Sequence, residues 1–467
     1  MVTARTVALR VIVASDRGGW TDRLLKRELR RANLDSREAA LCTRLCYGVV
    51  QNRTLLDFWL APHSKIPLGK LESRVLGILR LGAYQALFLD KIPDFAGVSA
   101  CVDMARAASG ERAAGFVNAV LRALLRSPCP APAGEARERL SLLYSRPAWQ
   151  VEAYLETLGE GETESLLAAD NTAPPLWVHV NPLRATVEHL RDALAAEGVA
   201  TDPHPWLPGC LSLRGAGDIE RLASWKQGLF LVADPAARLA VMAADPPPGA
   251  HVIDGCAAPG GKAFFAAMHM LGRGVVSAFD IHPHKLSLLR QGRDRLGLDN
   301  IVRIGLKDAG VFDPTLADSA DLVLADLPCS GLGIVRKKPD IRFKTAGSVS
   351  GLPLVQRRLL LNLSRYVKPG GKLLYSTCTL RQAENEEVAD AFLRECPGFL
   401  PQPFVLPCQG GDAPGGRLTV WPHIHGTDGF FICLLQRKQE RKGVHYEIDQ
   451  EGHNPCASPA VHAERTD

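Results

Sequence analysis

The sequence predicts a multidomain protein: an all-α helical bundle, then a small α+β subdomain, then an α/β domain built on a largely parallel sheet. Three observations carry that expectation. Apolar positions recur at helical spacing through 1–127, short strand-like and helical patterns mix over 128–245, and apolar strands alternate with helices over 246–437. At 467 residues the chain exceeds what one hydrophobic core ordinarily serves. Residues 438–467 are polar and rich in Glu, His and Pro, and are expected to be a disordered tail.

In the first domain the pattern predicts helices over 3–14, 21–31, 36–60, 71–89, 98–108 and 113–125, with breakers at Gly18, Gly19, Pro62, Pro67 and Pro93 between them. In AGFVNAVLRALLR, Phe116, Val117, Val120, Leu121 and Leu124 share a stripe from which Arg122 and Arg126 largely diverge. Residues 1–128 hold 20 Lys/Arg against 11 Asp/Glu, a net of +9, which leaves −4 on the remainder of a chain at +5. A basic front domain suits a polyanionic partner through phosphate contacts, although solubility alone also accounts for it. The 12 cysteines are scattered without a CxxC pair or a Cys/His knuckle, so neither a structural zinc, nor any other metal, nor a disulfide framework is expected. The first residues carry Arg5, Arg10, Asp16 and Arg17 and lack the long apolar run of a signal peptide. No apolar stretch reaches bilayer length, so a cytoplasmic protein without a membrane partner is the expectation.

A Pro/Ala-rich boundary at 128–141 leads into a helix over 140–158. A strand at 176–180, a helix over 186–196, a strand near 210–213 and a helix over 235–243 make up the small subdomain. Beyond it HVIDGC (251–256), VVSAFD (275–280), IVRIG (301–305), ADLVLADLP (320–328) and KLLYSTC (372–378) read as strands, with helices over 283–296 and 354–366 among them. Apolar strands spaced by helices require a parallel sheet covered on both faces. PPPG and KPGG mark turns before the first and last of these strands, and RLTVWP and GFFICLL read as late, partly antiparallel strands.

DGCAAPGGKA (254–263) stands between a strand and a helix. Gly255, Gly260 and Gly261 permit a tight turn and close approach of a ligand, and helix-start amides can donate to it. The spacing is neither the dinucleotide GxGxxG nor the phosphate-binding GxxxxGK[ST], which weighs against a nicotinamide oxidoreductase. Asp280 ends the second strand, where a carboxylate can accept from ribose hydroxyls, and Asp308 stands after the third, where it can take an adenine amino group.

DLPCSG (326–331) follows the fourth strand and STCT (376–379) the fifth, so Cys329 and Cys378 are expected in one cleft at the carboxyl ends of neighbouring strands. Buried filler cysteines are the alternative, but Ser330, Ser376 and Thr377 are polar neighbours. Two such thiols suit methylation at carbon 5 of cytosine. That carbon is a poor nucleophile until a thiolate adds at carbon 6, and a thiol with a pKa of ~8.5 is already partly ionised near neutrality. Asp326 can bond ring N3 and the exocyclic amino group of the base. On these grounds either cysteine can be the attacker. Arg336, Lys337, Lys338, Arg342 and Lys344 follow in RKKPDIRFK and can contact phosphates, with Phe343 available to stack on a base; an ordinary exposed loop is the plainer reading.

These blocks closely resemble the Sun/Fmu family of bacterial 16S ribosomal RNA cytosine-C5 methyltransferases. The resemblance rests on DGCAAPGGKA, DLPCSGLGIVRKKPDIRFK, KPGGKLLYSTCTLRQAENEEV and HGTDGFFICLLQR. In the front half, ALRVIVASDRGGWTDRLLKRELRR, LCYGVVQNRTLLDFWLAP, ILRLGAYQALFLDKIPDFAGVSACVDMAR and GFVNAVLRALLR resemble the NusB-type domain that this family carries. The resemblance implies a Rossmann-like methyltransferase domain with S-adenosyl-L-methionine (AdoMet) as cofactor. It implies that Cys256, Ala257, Ala258, Pro259, Gly260, Gly261 and Lys262, with Asp280, Asp308 and Asp326, bind that cofactor. It assigns the nucleophile to Cys378 and product release to Cys329, and places 128–245 in the RNA-binding half. The implied partner is 16S ribosomal RNA or a small-subunit assembly intermediate, met by a monomer. A tRNA cytosine methyltransferase and a noncatalytic RNA-binding or antitermination scaffold are the alternatives; the intact cysteines and cofactor loop weigh against the scaffold. The sequence departs from the family at Ala263 (Thr is usual), at VADPAA (232–237) and at His179, where Arg is frequent.

Overall fold

The computed structural model describes residues 2–90 and 93–439, so the expected tail lies, from residue 440 onward, outside the described residues. The front domain is the expected bundle: α1 (Ala4–Ser15), α2 (Thr21–Ala32), α3 (Ser36–Gln51), α4 (Arg53–Leu60), α5 (Ser73–Phe88), α6 (Asp94–Ser109) and α7 (Glu111–Arg126). Thr3 and Thr6 form a reciprocal cap on α1, and Asp35 caps α3. The single helix expected over 36–60 is two. Asn52 leaves the helical region and turns its side-chain amide back to the Gly48 carbonyl at 2.9 Å, a local bond that competes with helix continuation. Val117, Val120, Leu121 and Leu124, from the stripe read in the sequence, pack against Leu45, Leu56, Ile78 and Leu81.

The second unit begins with α8 (Ala136–Leu143) and α9 (Ala148–Asp170), the latter kinked at Gly159. The single helix expected over 140–158 is thus also two, because Ser145 enters a left-handed conformation and Pro147 starts the next helix. Strands β1 (Leu176–Val180), β2 (Ala200–Pro203), β3 (Cys210–Arg214) and β4 (Phe230–Val232) form an antiparallel sheet in the order β2-β3-β1-β4, backed by α10 (Val187–Ala196) and the one-turn α11 (Ala223–Lys226). Phe230, Leu211, Leu190 and Leu194 fill its core.

The third unit opens with α12 (Pro235–Ala244). Its elements are β5 (His251–Asp254), α13 (Gly261–His269), β6 (Val275–Asp280), α14 (Pro283–Leu296), β7 (Val302–Leu306), β8 (Ala320–Asp326), α15 (Ala346–Val349), α16 (Leu352–Ser364), β9 (Val367–Thr377) and α17 (Glu386–Glu395). Then come β10 (Phe399–Pro401), β11 (Phe404–Val405), β12 (Asp412–Ala413), β13 (Arg417–Val420), α18 (Pro422–His425) and β14 (Phe430–Arg437). The main sheet runs β10-β14-β9-β8-β5-β6-β7, with β13 paired to β14. β5 to β9 are mutually parallel, whereas β14 enters antiparallel to β9, as expected of the closing strands. KPGG lies inside β9, which begins at Val367, and bulges there: pairing with β8 jumps from Val367–Ala320 to Lys372–Leu322, and Gly370 takes φ +80°. Separate apolar clusters cover the two faces, one around Phe264, Leu289 and Ile432, the other around Leu360, Tyr375 and Phe392. From β5 the chain winds outward through β6 and β7, then returns to the other side of β5 with β8 and β9. The carboxyl ends of β5 and β8 therefore flank a switch point, where such sheets bind ligands.

Candidate active site

Asp326, the last residue of β8, stands in register with Ser376 of β9. Parallel pairing sends the loops after these strands to the same edge of the sheet, and it brings Cys329 Sγ to 3.3 Å from Cys378 Sγ. Both are free thiols, half-buried in an open cleft of about 590 Å³ that also holds Cys256, Ala258, Asp280, Asp308 and Asp326.

The two loops are tied to each other below the cysteines. The buried Glu384 carboxylate accepts from the Ser330 N–H (2.8 Å), from Gln356 Nε2 (3.1 Å) and from Arg381 (3.0 Å). Gln356 also donates to the Pro328 carbonyl at 2.9 Å, and the hydroxyls of Ser330 and Thr379 meet at 2.7 Å. Asn385 accepts from the Thr377 hydroxyl (2.6 Å) and donates to the Thr379 carbonyl (3.0 Å), bracketing Cys378. The Cys378 carbonyl accepts from Gly333 N–H at 2.9 Å; a β-carbon at Gly333 would stand 1.9 Å from the Gly429 carbonyl oxygen, so only glycine admits this crossing. Glu384 and Asn385 stand in the turn before α17, and since Ser330 and Gln356 lie far away in sequence, the segment itself gives no sign of this role.

The glycine loop divides its residues between two openings. Cys256, Ala258, Asp280, Asp308 and Asp326 face the cysteine cleft, whereas Ala257, Pro259, Gly261 and Lys262 line a second opening of about 620 Å³, which Ala258 and Asp326 also touch. Gly260 serves packing: its φ is +117°, and a β-carbon there would stand 2.3 Å from the Phe264 ring. Lys262 pairs with Asp326 at 2.7 Å, a partnership the sequence did not reveal. Ser376 donates to the other Asp326 oxygen at 3.1 Å. Asp280 accepts from the His282 N–H at 2.9 Å, while Asp308 is exposed and accepts from the Gly310 N–H at 2.8 Å.

Electrostatics separate the two thiols. The sulfur–sulfur contact with Cys329 holds Cys378 below the ordinary thiol range; Lys262 acts in the same direction against burial and Asp326. The same contact, then burial and the charges of Cys378, Glu384 and Asp326, hold Cys329 well above it. Burial, then the neighbouring Asp326 charge, pushes the Asp254 carboxyl up to about 7. Sequence reasoning passed over Asp254, since the charges that perturb it come from other strands.

The expected phosphate contacts need correction. Arg342 is fully buried and donates to the Gln51 and Tyr144 carbonyls and to Asn171. Arg336 is also buried, held by the Thr427 carbonyl, and Lys337 is engaged by Asp234 (2.7 Å) and Asp428 (2.8 Å). Arg342 and Arg336 have no surface to offer RNA, while Lys337, half-buried and paired with two carboxylates, is committed to the fold. Only Lys338, which is exposed, and Lys344, which donates to the Ser330 carbonyl at 2.6 Å, line the cleft. Arg53 covers one face of the Phe343 ring at 3.5 Å and so removes that face from base stacking. His179 is likewise structural. It lies edge-on to Phe265 at 4.9 Å, and burial pushes it down to about 3, leaving it neutral.

Residues 241–436 match the family model described as 16S rRNA methyltransferase RsmB/F. Residues 2–126 match the NusB family, and residues 146–220 match the ferredoxin-like domain of RsmF/B-like methyltransferases. The chain is 33% identical over 453 residues to the probable ribosomal RNA small subunit methyltransferase B of Bacillus subtilis (strain 168), covering 93% of this chain and 99% of that relative. A Synechocystis protein of the same description is 34% identical over 447 residues, covering 94% and 100%. The crystal structure of PH0851 superimposes with a TM-score of 0.79 at 26% identity, covering 94% of this chain and 99% of that one. A methyltransferase domain behind a NusB-like bundle and a ferredoxin-like unit, matched over almost its whole length, belongs to the RsmB/F (Sun/Fmu) family of 16S rRNA methyltransferases.

Proposed function

We propose that this methyltransferase acts on carbon 5 of one cytosine of 16S ribosomal RNA, free or in a small-subunit assembly intermediate, through a transient bond from Cys378 Sγ to carbon 6. The reading rests chiefly on the two free thiols 3.3 Å apart beside Asp326 at the switch point of the sheet. The relatives named small-subunit rRNA methyltransferases support the substrate. The proposal includes a cytoplasmic monomer with functional divisions near 127 and 245.

The residues suit AdoMet. Asp254, Asp280 and Asp326 converge at the strand ends with Lys262 paired to Asp326, a set of carboxylates that can meet a sulfonium cation. Asp280 and Asp308 present carboxylate oxygens after β6 and β7 for ribose hydroxyls and an adenine amino group. When bound, AdoMet supplies an electrophilic methyl group.

Cys378 is the attacker that the family resemblance implies, and its contact with Cys329 and the charge of Lys262 both favour a thiolate there. Its addition at carbon 6 moves an electron pair toward carbon 5. Asp326, oriented by Lys262 and Ser376, holds a proton at N3 and accepts from the exocyclic amine. Once carbon 5 carries the methyl, that carbon loses its proton to a base, the ring electrons return, and Cys378 leaves as a thiolate. The Cys329 S–H, held protonated, donates to that departing sulfur and so favours release.

Purified protein with AdoMet is expected to methylate one cytosine of small-subunit RNA, read by bisulfite sequencing. Cys378→Ala abolishes turnover, and full activity in that variant overturns the attacker. Cys329→Ala accumulates a denaturation-resistant protein–RNA adduct; clean turnover with no adduct removes the release role. Methylation appearing in tRNA in place of small-subunit RNA overturns the substrate.

A further inference from the structure

The helical domain contributes to the cleft itself. Trp20, in the turn before α2, lines the same cleft as Cys329, Cys378 and Asp326, and 40% of it remains exposed. Its placement is enforced from the catalytic domain. Asp340 accepts from the Thr21 N–H (3.0 Å), the Thr21 hydroxyl (2.7 Å) and the Ser15 hydroxyl (2.9 Å). α2 has no side-chain cap of its own, so this carboxylate satisfies an amide of its first turn from another domain. Asp340 lies in the 3-10 turn Pro339–Phe343, between Lys338 and Lys344, which line the cleft with Ile341. The clamp that seats Trp20 therefore seats it beside two lysines.

An exposed indole, two ammonium groups and a cleft ending in a reactive thiol form the combination that binds single-stranded nucleic acid: a stacking face with cations along the backbone. The chemistry supplies the need. A cytosine must leave its stack to reach a thiol in a cleft, and its neighbour then loses a stacking partner. We propose that Trp20 stacks on the nucleotide base adjoining the target cytosine, with Lys338 and Lys344 meeting the flanking phosphates. This rests on the function proposed above. The helical domain is then part of the substrate site and not only a recruiting module.

The test is the affinity of the full-length protein for a short labelled single-stranded RNA with one central cytosine. Trp20→Ala is expected to weaken binding about 5- to 150-fold, the range of one lost base stack. Trp20→Tyr, which keeps a flat ring, recovers most of that loss, and Trp20→Leu, which keeps apolar bulk alone, does not. Wild-type affinity in Trp20→Ala, or recovery by Leu equal to that by Tyr, overturns the proposal. If Trp20→Ala folds poorly, the comparison of Tyr with Leu still decides. Wild-type protein that binds this RNA but leaves no methyl on ribosomal RNA overturns the proposed function, and the Trp20 comparison stands on affinity alone.

Discussion

Asp254 shows how far one side chain's behaviour depends on neighbours that its own segment does not contain. It closes β5, is 1% exposed, and has the Asp326 and Asp280 carboxylates beside it, with Lys262 only partly compensating. Its carboxyl stands at about 7 in the fold against an ordinary 3.8. Between those values the folded chain holds a proton that the unfolded chain has released. Its contribution to stability is full below ~4 and is lost as pH rises toward 7. At ~1.4 kcal/mol per pKa unit the whole effect is about 4 kcal/mol at most. Asp254→Asn keeps an oxygen for the Cys256 N–H and removes the titration. Relative to wild type, the variant should gain stability steadily from pH 4 to 7 in urea unfolding, and parallel profiles would show that Asp254 does not titrate there. The cysteines, by contrast, were legible at this scale. Their identity, polar neighbours and strand-end positions are local facts that anticipate the 3.3 Å contact, whereas the choice of attacker came from family resemblance.

At the scale of elements, period and punctuation located the long helices and the central strands, missed short ones such as β2, β4 and β10 to β12, and failed where tertiary contacts override local signals. KPGG has turn composition, yet it interrupts β9 as a bulge instead of preceding it, with Val367 and Lys372 paired to β8 on either side. The charge run at 336–344 has the composition of an exposed loop, but it lies where three parts of the chain meet. Neither outcome could be read from the segments themselves. The turn at Glu384 and Asn385 is the complementary case: ordinary in sequence, it joins the loops that carry both cysteines. Glu384→Ala leaves the Ser330 N–H and the Gln356 amide without their buried acceptor and frees Arg381. A loss of about 2–4 kcal/mol is expected from unfolding curves. The loops should also drift apart, so the alkylation rate of Cys378 and kcat should fall together even at temperatures where the variant stays folded. Unchanged alkylation and kcat in a destabilised protein would confine Glu384 to stability.

Across the whole molecule, the domains converge on Arg342. Its guanidinium is fully buried, yet its bonds go to the Gln51 carbonyl, the Tyr144 carbonyl and Asn171 Oδ1. Gln51 ends α3, Tyr144 follows α8 and Asn171 follows α9, so one cation sits at the carboxyl ends of three helices. Those ends carry unsatisfied carbonyls and the negative pole of each helix, which offset part of the cost of the buried charge; burial still pushes Arg342 down to about 9, and Nε and Nη2 have no acceptor among the described residues. The nearby buried pair Arg146–Asp170 keeps its own charges matched. Since α3 belongs to the bundle, α8 and α9 to the second unit and Arg342 to the loop between Cys329 and Cys378, this residue joins domain docking to the geometry of the cleft. Arg342→Ala leaves those acceptors unpaired around a cavity, at a cost of about 3–5 kcal/mol. Arg342→Lys is expected to restore part of that loss, because all three bonds leave one guanidinium nitrogen and an ammonium also carries three donors, while the volume of the remaining guanidinium stays unfilled. Calorimetry should then resolve the bundle as an earlier transition, distinct from that of the catalytic domain, and proteolysis at the 128–135 boundary should accelerate. Methyl transfer should fall with docking, because Asp340 and Lys344 share the displaced loop. A single transition at the wild-type temperature in Arg342→Ala would mean that the domains are joined elsewhere, with Asp340 and the Arg53–Phe343 contact the next places to look.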